Sequence, residues 1–143
     1  MKLIKALGLA AAMSLSMVAQ ADIAIIVNLK NQNTYTGIDT DLVSRIYLGK
    51  ANKFPDGSSA VPYNLAKGDD IRDRFTRSVL NKTPSQLHSY WSRQIFAGKK
   101  QPPRDVADAV AMKKAIAEDL NGIGYINSLD VDTSVAVLHT IKD

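Results

Sequence analysis

Three observations predict an α/β layer fold. Residues 23–27 (IAIIV) form a continuous apolar, β-branched run, which suits a strand buried on both faces as in a parallel sheet. Helix-start signals recur downstream at Asp39, at Asp69 or Asp70, at Thr83-Pro84 and at Asp105, each followed by apolar residues at helical spacing. Short apolar runs at residues 60–65, 123–126 and 135–138 fall between or after those helices, and strands alternating with helices are the pattern of a layered α/β domain.

The elements follow in order. After the first strand, residues 28–37 (NLKNQNTYTG) are polar and turn-rich, so the chain leaves the sheet there. Asp39 is placed to cap a helix that carries Leu42, Val43, Ile46 and Tyr47 on one face, with Ile38 and Val43 set for a hydrophobic staple and Gly49 ending it. Residues 52–59 (NKFPDGSS) make a loop with an Asp56-Gly57 turn. In the second strand, residues 60–65, Pro62 implies a sheet edge or a strand start. The next helix spaces Ile71, Phe75 and Val79 by four. Thr83-Pro84-Ser85-Gln86 then combines a capping box with proline at the first helical position. That third helix is expected to bury Leu87, Tyr90 or Trp91, and Ile95, and to close at Gly98. Residues 99–104 (KKQPPR) read as a basic, proline-stiffened loop, and Asp105 as the cap of a last helix with Val106, Val110, Ile116 and Leu120 inward.

The N-terminus reads as a cleavable export signal. Lys2 and Lys5 precede an apolar stretch at residues 6–18, and Ala19-Gln20-Ala21 offers the small-x-small pattern cut after Ala21. The stretch is shorter than the roughly 20 residues a bilayer-spanning helix needs. The expected mature chain, residues 22–143, is one domain in size and is expected in the periplasm. The signal holds two of the 18 basic residues and none of the 14 acidic ones, so the mature chain has 16 against 14, a net +2. That small excess argues against a nucleic-acid partner. The absence of cysteine removes disulfides, thiolate metal sites and cysteine nucleophiles.

Little in the sequence speaks for catalysis. It lacks the phosphate-binding GxxxxGKS/T loop, a GxGxxG turn, HExxH and GxSxG. His88 and His139 have no metal-spaced partner and read as surface or half-buried polar residues. The pairs Asp39/Asp41 and Asp69/Asp70 sit where helices begin, which capping explains, and Asp130/Asp132 lack the glycine and distal glutamate of a calcium loop. No enzyme, cofactor or metal site is expected. The segment of most interest is residues 65–71 (LAKGDDI), a strand end, a glycine and a helix start, whose N–H groups and dipole could face an anion. A carboxylate at the cap takes the position an anion would take, so helix capping by the aspartates is the favoured reading for strong binding there. The candidate anion-binding residues are Lys67, Gly68, Asp69, Asp70, Ile71 and Arg72. Lys99, Lys100 and Arg104 form a second basic patch, read as a solvated loop.

Several segments occur in a recognisable order: residues 39–50 with IYLGK, Phe54-Pro55-Asp56-Gly57, Phe75, Trp91 with Phe96-Ala97-Gly98, and Gly122-Ile123-Gly124-Tyr125-Ile126. Their arrangement resembles the phosphate-type periplasmic solute-binding proteins of ABC transporters. The resemblance runs from Ile23 to about Leu138 and implies a periplasmic-binding-protein-like (type II) lobe, a small mixed sheet flanked by helices. Full-length members have two lobes, and this chain resembles mainly the second. Members that bind phosphate place Ser-Gly-Thr at the helix start after Arg and Asp, where this chain has Asp69-Asp70-Ile71 after Lys67-Gly68. The resemblance therefore implies an extracytoplasmic solute-binding protein for phosphate or another small anion, with weak or lost affinity, working with a membrane transporter or sensor. The alternative is an envelope interaction or sensory accessory module that kept the fold without the pocket, with a protein partner or a homodimer.

Overall fold

The computed structural model describes residues 8, 11–14 and 21–142. The expected export signal, with Lys2, Lys5 and the small-x-small pattern, lies almost wholly outside the described residues. Five strands and four α-helices follow in the order β1 (Ile23–Val27), α1 (Thr40–Tyr47), β2 (Val61–Leu65), α2 (Asp70–Ser78), α3 (Pro84–Phe96), β3 (Arg104–Val106), α4 (Ala109–Glu118), β4 (Gly122–Asn127) and β5 (Ala136–Ile141). Short 3-10 turns occupy Gln32–Tyr35 and Ser128–Asp130. One sheet holds all five strands in the order β3-β2-β4-β1-β5.

The sheet is mixed, as the resemblance implied. β2 runs parallel to β3 and β4, while β1 is antiparallel to both β4 and β5. The parallel-sheet expectation for residues 23–27 is corrected here. Every residue of β1 is buried, but both of its partners run the other way. A continuous apolar run reports burial on two faces and says nothing of strand direction. Pro62 is no edge residue either, since β2 lies between β3 and β4. It sits near the start of β2, where β3 has not yet begun to pair, so its missing N–H costs no bond on that side.

The helix starts follow their signals closely. Asp39 Oδ1 accepts the Leu42 N–H at 2.8 Å, and Val43, Ile46 and Tyr47 are buried. Thr83 and Gln86 exchange both bonds of the capping box, at 3.1 and 2.9 Å. The last helix departs from expectation. Asp105 lies in β3, and Asp108 caps α4 by accepting the Ala111 N–H at 2.9 Å. Val110 and Leu120 are consequently exposed, whereas Met112 and Ile116 are the residues α4 buries. Ile95 is also exposed, whereas Leu87 and Trp91 of α3 are buried as expected.

Helices cover both faces of the sheet. On one face α4 lies close over β4: a Cβ built on Gly124 would stand 2.6 Å from Met112 Sδ and 3.1 Å from Ile116 Cγ1. Side chains alternate along β4, so Tyr125 points the opposite way. There its ring stacks on Phe75 of α2 with centroids 3.9 Å apart, and Tyr47 of α1 meets both rings edge-on. The Tyr47 hydroxyl donates to the Tyr63 carbonyl at 2.7 Å, with the Ile123 carbonyl at 3.1 Å, which pins α1 across β2 and β4. Asn28, just past β1, donates its Nδ2 to the Ile116 and Ala117 carbonyls and satisfies acceptors at the end of α4.

Candidate functional site

Beyond the end of β2 the chain turns at Gly68, whose φ of +86° is open to glycine at little cost, and enters α2. This turn lines a cleft of about 490 Å³. Lys67, Gly68 and Arg72 line it. Asp69, Asp70 and Ile71 do not. Three of the six residues picked out in the sequence are therefore brought to one concave surface, and the other three are not.

The carboxylate of Asp69 holds the helix start. Its Oδ1 accepts the Ile71 N–H at 2.8 Å and the Arg72 N–H at 3.3 Å, as the capping reading requires. Arg72 is also engaged. Its Nη1 donates to the Leu65 carbonyl at 2.7 Å and to Asp105 Oδ1 at 3.1 Å. Asp105 is half exposed, so that ion pair is worth at most about 1 kcal/mol and an entering anion can displace it. Lys67 is exposed at the rim.

A buried relay positions one more donor. Burial pushes the Tyr125 phenol above its usual range and keeps it protonated. Its oxygen accepts the Leu65 N–H at 3.3 Å, so its proton goes to Asn64 Oδ1 at 2.7 Å. The oxygen of Asn64 is thereby fixed inward. The Nδ2 amide, which has no protein acceptor among the described residues, is left for the cleft that Asn64 lines.

The far wall is apolar. Pro84, Leu87, Trp91 and Ile95 of α3 line it together with Pro102 and Pro103, and His88 and Ser92 of the same helix line it as well. Sequence reasoning missed this half of the site. Trp91 and Leu87 read as plain core, and His88 as a bystander. Asp105 reads as a helix cap, although it is the carboxylate that meets Arg72. The two prolines were the available signal, since they end the helix-bearing segment and stiffen an extended approach to β3. His139, by contrast, is remote in role: its Nε2 lies 3.1 Å from Thr40 Oγ1 at the start of α1. Asp132 is taken up by Lys113 and Ser134, whose hydrogen bonds hold its carboxyl well below the usual range. Among the described residues no group of three or more His, Asp or Glu could hold a metal ion. Among them, too, no helix is long and apolar enough to cross a membrane.

No family model and no curated protein matches the chain. Solved structures do. The fold is similar to that of a Clostridium perfringens protein described as a phosphate ABC transporter substrate-binding protein, with phosphate bound. The TM-score is 0.66 at 20% identity, over 84% of this chain and 45% of that one. An ABC-type phosphate transport receptor from Vibrio cholerae gives 0.64 at 16% identity, over 85% and 46%. PstS from Borrelia burgdorferi gives 0.63 at 14%, over 84% and 47%. The chain thus spans less than half the length of these structures, and across that span it has the α/β fold of a periplasmic-binding-protein lobe.

Proposed function

We propose that this chain is a non-enzymatic, extracytoplasmic solute-binding protein that takes phosphate or another small anion at the β2–α2 turn for a membrane transporter. The observation that carries this reading is the convergence of Lys67, Gly68, Arg72 and the Asn64 amide on one cleft, in a fold shared with phosphate-transport receptors. Lys67 supplies a mobile charge, Arg72 a guanidinium held by one carbonyl and one displaceable carboxylate, and Asn64 a neutral donor of fixed orientation. Asp69 and Asp70, beside the lining, supply its electrostatic background, and Ile71 gives the site only its backbone N–H, which Asp69 holds. Asp69 occupies the helix N–H groups, which lowers the affinity expected of a bare anion. Export by the N-terminal signal, with cleavage after Ala21, places the chain in the periplasm.

Isothermal titration with inorganic phosphate, and with sulfate and acetate as controls, tests the reading. Saturable heat that is lost in Lys67→Ala supports it. Silence for every anion up to the millimolar range removes it.

A further inference from the structure

The charges that line the cleft cancel. Lys67 and Arg72 stand beside Asp73 and Asp105, so the lining carries no net formal charge to draw in a multiply charged ion. Desolvating such an ion next to two carboxylates is unfavourable unless other contacts supply the free energy. The geometry offers those contacts. The apolar part of the lining consists of the α3 side chains Leu87, Trp91 and Ile95 together with Pro102 and Pro103. Ile95 is 54% exposed, so this wall has apolar surface still to bury. A space of about 490 Å³ lies within the range of pockets for small organic molecules, and far exceeds what four oxygens around one phosphorus require.

We propose that the cleft binds an amphipathic organic anion, with its phosphoryl head at Lys67, Gly68 and Arg72 and a hydrocarbon or aromatic body along Leu87, Trp91, Ile95 and the two prolines. The proposal rests on the anion-site reading above and adds the class of solute. Each methylene laid against the wall contributes up to about 0.8 kcal/mol, added to what the charged head group contributes at Lys67 and Arg72. His88 and Ser92 sit one turn apart along the same wall and can serve a polar substituent on that body.

The chain's single tryptophan, Trp91, lines the cleft and reports occupancy by its fluorescence. The full chain is titrated with inorganic phosphate, then ethyl, butyl and hexyl phosphate, then hexanol. The expected result is a Kd that falls about two- to fourfold per added methylene, with hexanol far weaker than hexyl phosphate. Ile95→Ser, at an exposed position, should weaken hexyl phosphate several-fold more than it weakens inorganic phosphate. Equal affinity for inorganic and hexyl phosphate overturns the proposal and leaves the anion reading standing. Hexanol binding as tightly as hexyl phosphate, or no binding by any probe, overturns both.

Discussion

At the scale of single residues, the site is governed by which carboxylate sits on which donor. Asp69 satisfies two backbone N–H groups of α2, and Asp105 satisfies the guanidinium of Arg72. Both compete with any anion for the donors it would use. Serine caps a helix about as well as aspartate but carries no charge, so Asp69→Ser should preserve the fold while removing the repulsion. Asp105→Asn should do the same across the cleft. Each change is expected to tighten phosphate binding about two- to fivefold, the scale of an exposed ion pair, and the double variant more than either alone. Calorimetric titration of the four proteins measures this. Weaker binding in both single variants would place the anion somewhere other than the β2–α2 turn.

At the scale of elements, the contact between α4 and β4 is the most exacting. Gly124 has no room for a Cβ, because Met112 and Ile116 are fully buried against it. Gly124→Ala should cost about 1–3 kcal/mol, the usual penalty for overpacking, read as a lower urea midpoint at unchanged m-value. An unaltered midpoint would show that α4 can retreat from the sheet. The elements were also where the sequence spoke most unevenly. Caps at Asp39, at the Asp69-Asp70 pair and at Thr83 were legible because a short polar side chain before an apolar period has one strong use. β3 was not. Its three residues, Arg-Asp-Val, carry no alternation to read, and Asp105 offered a plausible cap three residues before Asp108 provided the real one. The same slip concealed half of the site, since recognising β3 is what brings Asp105 opposite Arg72. Lys67, Gly68 and Arg72 could be named in advance because a strand–glycine–helix turn is a local pattern, whereas the apolar wall depends on how α3 lies against β2 and β3.

At the scale of the whole molecule, two buried phenols tie stability to pH. Burial raises Tyr47 and Tyr125 well above the ordinary value near 10. In the unfolded chain both lose their protons at about pH 10, while in the folded chain they keep them. Their contribution is therefore complete below about pH 10 and declines as pH rises above it, because the unfolded state then binds fewer protons than the native one. Thermal melts at about pH 8, 9, 10 and 11 should show a midpoint that is steady and then falls, and Tyr125→Phe should make the fall shallower. A midpoint that stays level up to about pH 11 would contradict the burial of these groups.

The place of β1 also governs how the chain reaches this state. It is the first strand to be made, yet both of its neighbours, β4 and β5, lie about a hundred residues further along. Until those last strands exist, five consecutive apolar residues have an unpaired edge on each side, exposed to any other extended segment nearby. No amino-terminal fragment can complete the sheet, so folding waits for the carboxyl end, and the loop it must close makes it slow. A chain built this way completes its sheet only when β4 and β5 are available to pair with β1.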